Sequence, residues 1–472
     1  MGSIERPVDG GGEARVALIL NFHVINQYHI LLLQMILLSD SSEKVKNFLT
    51  FFLCLMPVSF IAGNMIININ ILLLILSSLF FFKKEVFKIK FFWFDKLIIA
   101  YFFLVLYTGI YNDLIFYQEK LAWKGYFSTV VKSLFFFKYL FFYICLRFLV
   151  ENKIIKLKFF FIACATASLF VCFDLFYQFF SGQNIFGFEA VGRKIGGPFR
   201  DELIAGGYIQ RFSIFAFFVL PFFYANFSNK FSKYLLPILF IIFACGILIS
   251  GNRMPMLLFV FSIILIIIFN KQTIKFLIPF IFIFSILFII IFKFNNEVKI
   301  NFLKFYNQVS SMTEIVIKGD FKNNNSPQYL REFESFYDTW LMNKYIGGGL
   351  KNFRYYCHTR PNIDKNSNFV CNMHPHNYYL EILTETGLVG FIILVSAFLL
   401  ILQSTFIKKY FSRSSKYYDN LIIPFIFLFF IEIFPIKSTG SFFTTGNTTY
   451  LFLIMGFLIG LIPKQNSIEK KR

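Results

Sequence analysis

Residues 376–403 read HNYYLEILTETGLVGFIILVSAFLLILQ, and this stretch decides what kind of chain this is. From Gly387 to Gln403 it carries no charged residue and reads as a helix crossing a bilayer. Ahead of that run, His376, Asn377, Tyr378, Tyr379, Glu381 and Glu385 put polar side chains one short helix away from the membrane. A histidine titrates near neutral pH and can take a proton from a hydroxyl.

Outward from this stretch the same apolar texture repeats. The chain has 472 residues, 57% of them hydrophobic and 21% aromatic, with 73 Phe and a mean hydropathy of +0.65. No soluble globular protein needs that much apolar surface. The expected fold class is an all-α polytopic membrane protein of about 12 transmembrane helices. The expected spans are 48–63, 66–82, 97–112, 128–149, 158–180, 204–226, 233–250, 254–270, 275–293, 387–406, 420–437 and 447–463. One long loop, 294–386, separates spans nine and ten and is too long for a mere connector. The division is thus an N-terminal tail over 1–45, nine spans over 46–293, that loop, three spans over 387–463 and a basic tail over 464–472. Residues 1–15 are polar and Gly-rich and read as disordered. Residues 16–38 read as a marginal or interfacial helix, without a tidy signal-peptide cleavage site.

The net charge of +20, from 46 Lys+Arg against 26 Asp+Glu, sets orientation. Lys83, Lys84, Lys88, Lys90 and Lys96, then Lys153, Lys156 and Lys158, then Lys230 and Lys233, then Lys271 and Lys275, then Lys408, Lys409, Arg413 and Lys416 fill every second loop. Those loops and both termini are expected in the cytoplasm, meeting anionic lipid, with loop 294–386 in the periplasm. No basic-aromatic groove in a soluble domain speaks for nucleic acid. Five cysteines lie in apolar runs and read as small hydrophobes. Cys357 and Cys371 share the long loop; a disulfide or two free thiols both fit.

Several residues carry candidate chemistry. Arg253, in SGNRMP at the outer end of a span, is a permanent charge suited to an anionic headgroup, or a snorkelling anchor. Arg331 opens REFESFYDTWLMNKYIGGGLKNF and can serve a substrate or pair with Glu334 or Asp338. Gly347, Gly348 and Gly349 suit a tight turn better than a phosphate cradle. In GRKIGGPFRDELIAGGYIQRF (192–212), Arg193, Lys194, Arg200 and Arg211 are candidates for phosphate or glycan contacts, and Asp201 and Glu202 for sugar hydroxyls. His376 is the candidate base. His358, His374 and His376 suggest a metal site only weakly, because no carboxylate or cysteine set completes it. Tyr378 and Tyr379 suit sugar stacking or the interfacial belt.

Taken together, Arg253, Arg331 and the His376–Asn377…Gly387–Leu388–Val389–Gly390 pattern resemble the functional set of the O-antigen ligase superfamily, over roughly residues 45–465. The turn at Arg253 resembles that family's Ser-Arg-Gly element, with Asn252 beside the arginine and Met254 where Gly is usual. Arg331, Trp340, the glycine triplet and Phe353 follow the family's order of arginine, Trp-containing amphipathic helix, Gly-x-Gly turn and Phe. Residues 192–212 resemble its Gly-x-Phe element.

The resemblance implies an inverting glycosyltransferase of the bacterial inner membrane, needing neither metal nor cofactor. Its donor would be a glycan on undecaprenyl diphosphate and its acceptor a sugar hydroxyl of lipid A-core. His376 would act as general base, and Arg253 and Arg331 would stabilise the leaving diphosphate. Asn377, Tyr379, Arg193, Arg200 and Arg211 would contact substrate. The same resemblance admits an O-antigen or capsular polysaccharide polymerase, which takes a lipid-linked repeat as acceptor, and more remotely a protein O-oligosaccharyltransferase. A polysaccharide transporter fits less well, because charges within the spans are few and no inverted repeat is evident.

Overall fold

Long apolar runs become helices here because a bilayer offers no partner for an unpaired backbone amide. The computed structural model describes residues 42–115, 128–190, 195–200, 202–219, 230–269, 277–294, 296–318, 328–359, 371, 375–412, 419–437 and 440–462. The expectations for residues 1–38 and 464–472 lie outside these, as do Arg193, Lys194, Asp201 and His374.

Among the described residues, helices are the regular elements. In chain order they are α1 (Ser42–Ala62), α2 (Asn64–Phe82), α3 (Trp93–Ile115), α4 (Ser128–Glu151), α5 (Leu157–Ser181), α6 (Ala205–Phe212), α7 (Lys230–Ile249) and α8 (Arg253–Phe269). There follow α9 (Leu277–Phe294), α10 (Asn296–Lys318), α11 (Gln328–Leu341), α12 (Tyr378–Leu402), α13 (Ile423–Glu432) and α14 (Thr445–Gly460). Six described helical segments are long and apolar enough to cross a membrane: α1 to α5, and the segment Tyr378–Phe411 that contains α12. Shorter apolar helices lie at Leu235–Ile249, Arg253–Phe269, Asn420–Glu432 and Thr445–Gly460. A helix of 16 residues rises only about 24 Å, short of a bilayer's hydrocarbon depth.

The expected span 204–226 differs in its described part. Its helix α6 stops at Phe212 and tightens into a 3-10 segment, Ser213–Phe218. Gly206, in the first turn of α6, lies so close to the turn after α7 that an added Cβ would stand 2.5 Å from Ser250 Oγ.

At the centre α4 packs along α14, and α12 packs along α3. The α4–α14 contact is close because two glycines face α4. A Cβ at Gly456 would stand 2.9 Å from the Leu146 side chain, and one at Gly460 2.8 Å from Val150 Cβ. At the lysine-bearing end, Arg147 of α4 is buried against Asp95 of α3, with Nη1 2.7 Å from Oδ2. Tyr143 donates to the same carboxylate, and Arg147 also donates to the Lys90 carbonyl at 2.5 Å. At the opposite end, α11, the glycine triplet and the start of α12 form a layer over the mouths of α3 and α4.

Candidate active site

The site is built from the backbone around His376. This residue is half-buried and takes a left-handed conformation, φ 53°. Asn377 follows in extended conformation and caps α12, its Oδ1 accepting from Tyr379 N at 2.9 Å and Leu380 N at 3.2 Å. Its Nδ2 donates to the Pro435 carbonyl at 2.8 Å. The Tyr379 hydroxyl donates to the Ile433 carbonyl, and the Tyr378 hydroxyl to Glu432 Oε1 at 2.6 Å. Residues 377–379 are therefore all anchored on the segment 432–435, and His376 is presented from a fixed cap. The amide of Asn377 is taken up by these contacts on both its atoms.

Arg211 reaches the same place from α6. It donates to Glu432 Oε1 at 2.8 Å and Oε2 at 3.3 Å, to Asn447 Oδ1 at 2.7 Å and to the Tyr378 hydroxyl at 3.4 Å. The guanidinium stands 4.8 Å over the Tyr450 ring. Lys437 approaches from the other side, Nζ 2.6 Å from Glu432 Oε1 and 3.3 Å from the Tyr378 hydroxyl. Two cations thus share one carboxylate, and all three groups are largely shielded: side-chain exposure is 14% for Arg211, 1% for Glu432 and 3% for Lys437. Burial pushes the Lys437 amine down to about 7, while the Arg211 guanidinium keeps its charge, so the cluster turns net positive beside the histidine motif as pH falls through that value. Glu432, Lys437 and Asn447 did not stand out as site candidates in the sequence. The available signal was a lone acid inside an apolar run.

The other candidates lie on other elements. Arg253 is the first residue of α8, its guanidinium 6.0 Å from the Phe305 ring of α10. Asn252, just before it, accepts from Gly206 N at 3.0 Å and donates to the Leu203 carbonyl at 3.1 Å. That amide ties the Arg253 turn to the entrance of α6, the helix bearing Arg211. Arg200 is exposed, with φ 59°, and stacks 4.8 Å over Phe188; Glu202 is exposed. Arg331 is half-buried on α11, which packs on the first half of α12. Glu381 accepts from Ser441 Oγ and Phe442 N, each at 2.5 Å, so it braces α12 against the start of α14.

The glycine triplet is a turn. Its three amides are all used inside the protein: Gly347 N donates to Asn343 O at 2.9 Å, Gly348 N to Thr384 O at 2.9 Å and Gly349 N to Glu385 O at 2.8 Å. No anion cradle is left. Leu388 N and Val389 N donate to the carbonyls of Lys344 and Tyr345 at 2.8 and 3.2 Å. These bonds exist because α12 breaks at Gly387, φ 67° and ψ −174°. The two backbones cross there so closely that a Cβ on Gly387 would collide with Tyr345, and one on Gly347 with Gly387. A disulfide, Cys357–Cys371, fastens this layer five residues ahead of His376, with Cα atoms 5.8 Å apart. Cys357 is buried with Phe336 and Phe353.

These features define a polytopic helical membrane protein that gathers a histidine, arginines and a lysine at one end of its bundle. Residues 238–395 match the family model described as O-Antigen ligase, a match that supports the O-antigen ligase superfamily for this stretch. The matched stretch contains Arg253, Arg331, His376, Asn377 and Tyr379; Arg211, Glu432 and Lys437 lie outside it. The match supports activity of the O-antigen ligase or polymerase type in general, and with it enzyme status. No curated protein matches the chain.

Proposed function

We propose that this chain is an inverting, metal-independent glycosyltransferase of the bacterial inner membrane, working at the periplasmic face. It moves a glycan from undecaprenyl diphosphate to a sugar hydroxyl of lipid A-core. The observation that carries this reading is the anchoring of the His376 cap on Glu432, Ile433 and Pro435, beside Arg211, at the mouth of the bundle.

In this mechanism the acceptor oxygen attacks the anomeric carbon from the face opposite the diphosphate. The new C–O bond forms as the bond to the diphosphate breaks, which inverts the centre. His376 takes the hydroxyl proton, a contribution worth about 10²–10⁴ in rate. The departing diphosphate gathers negative charge, and fixed guanidinium groups at Arg253 and Arg331 stabilise it. Arg211 adds to the positive potential while its geometry stays locked by Glu432. Arg193, Arg200 and the ring of Tyr379 complete the substrate contacts proposed for this site, and Asn377, whose amide is taken up within the protein, positions the cap.

The test is expression in a Gram-negative strain lacking its own O-antigen ligase, with lipopolysaccharide ladders read on a gel. Restoration of the ladder by the wild-type chain, and its loss with His376→Ala or Arg253→Ala at equal membrane abundance, is the expected outcome. Lengthening of lipid-linked single repeats in a polymerase-null strain, without a ladder in the first strain, would make the chain a polymerase instead. Near wild-type transfer by His376→Ala would sink the assignment of the base.

A further inference from the structure

Arg200 is offered to solvent in a conformation that the chain has to enforce. Its φ of 59° is left-handed, which a residue with a Cβ keeps only where its surroundings fix it. The Arg200 carbonyl folds back over Gly196, where an added Cβ would stand 2.1 Å from that oxygen. Glu202 N donates to the Phe199 carbonyl at 3.1 Å. Phe199 is buried, its ring 5.3 Å from that of Tyr208 on α6. The exposed guanidinium stands 4.8 Å over the Phe188 ring, within the range of a cation–π contact. Among the described residues it forms no ion pair.

Two buried amides build this arrangement. Gln178, in the last turn of α5, and Asn184, just past that helix, are each 2% exposed. Gln178 Nε2 donates to the Phe188 carbonyl at 2.9 Å, and its Oε1 accepts from Gly197 N at 2.8 Å. Asn184 Oδ1 accepts from Phe186 N at 3.0 Å and Phe188 N at 2.8 Å, while its Nδ2 donates to the Gly197 carbonyl at 2.6 Å. Each side chain thus grips both the residue that bears the ring and the turn that bears the arginine. Asp174 adds a further hold, its Oδ1 accepting from Ile185 N at 2.8 Å. Buried amides with every polar atom engaged specify one geometry.

The same turn is tethered to a second arginine. Leu203, three residues after Arg200 and so at most about 11 Å from it, has its carbonyl bonded by Asn252 Nδ2 at 3.1 Å. The next residue after Asn252 is Arg253, to which the leaving diphosphate is assigned above. Two guanidinium groups kept that near suit a ligand with two phosphoryl groups. A side chain already ordered by the protein costs less to engage than a mobile one.

We infer that Gln178 and Asn184 are positioning residues that pre-set Arg200, on the Phe188 ring, for the diphosphate of the lipid-linked donor. The inference rests on the substrate contact proposed for Arg200, and its test reads binding instead of transfer. The full-length chain in detergent is titrated with undecaprenyl diphosphate, and the thermal midpoint of each variant is recorded beside its Kd. Arg200→Ala should weaken binding about tenfold, the loss of a charge-assisted contact. Asn184→Ala and Gln178→Met should each weaken it about fivefold, the cost of ordering one long side chain. Added to Arg200→Ala, either should cost nothing more, whereas a role in the fold alone would add its own loss. Phe188→Leu removes the ring but leaves both amides their backbone partners, so it should follow the same pattern and decides the matter if the amide variants fold poorly. Undecaprenol, which lacks the diphosphate, should bind all variants alike. No binding by wild type, wild-type affinity in Asn184→Ala and Phe188→Leu, additive losses, or equal losses for undecaprenol would each overturn the inference. If the affinities follow the expected pattern and no glycan is transferred, the transferase reading falls and the positioning role stands.

Discussion

Glu432 is the side chain on which the candidate site turns, since Arg211, Lys437 and Tyr378 all bond to it. Removing one partner of a buried pair leaves the other charge unmet, at a cost of about 3–5 kcal/mol. Glu432→Ala, which strands two cations, is expected to lower the thermal midpoint in detergent by that measure and to abolish glycan transfer. A variant as stable as wild type would show that the cations find other partners. Arg253, Arg331 and His376 stand as candidates in the sequence through the motif pattern that they resemble. The Arg211–Glu432 pair was not legible, because 221 residues separate its members and only the fold makes them neighbours. The use of Asn377 as a helix cap follows from its place before Tyr378, yet its second bond, to Pro435, could not be read without the structure.

At the scale of elements, the break in α12 separates an outer helix carrying the histidine cap from the apolar run that crosses the membrane. The tenth expected span starts at Gly387, where the polar residues stop, and α12 loses its helical backbone at that residue. What it concealed was the reason: the backbone of residues 344–349 runs through the gap. Gly387→Ala combines a left-handed backbone with a collision, whereas Gly182→Ala meets a positive φ but open space. The second should cost about 1 kcal/mol and the first clearly more, compared as thermal midpoints of the two purified variants. Equal losses would mean that the crossing relaxes easily. The end of α6 at Phe212 was illegible for another reason, since the run from 204 to 226 is apolar enough for a span and only close packing on the turn after α7 shapes its start.

Over the whole molecule, sidedness rests on two unrelated observations. Lysines collect at one end of the bundle, and the Cys357–Cys371 bond lies in the layer at the other. Disulfides persist in oxidising compartments, so that layer is expected to face the periplasm. Spheroplasts treated with a membrane-impermeant reductant and then an impermeant maleimide should yield labelled Cys357 and Cys371 peptides by mass spectrometry. Labelling only after the membrane is permeabilised would reverse the orientation. The tight seam between α4 and α14 bears on how such a chain is made. Asp95 and Arg147 lie on successive helices and can pair as a hairpin soon after synthesis. By contrast, Leu146 and Val150 wait for Gly456 and Gly460, which the ribosome delivers far later. During biogenesis the central helix therefore stays open on one flank to insertion chaperones and quality-control proteases until α14 enters the membrane and seals it.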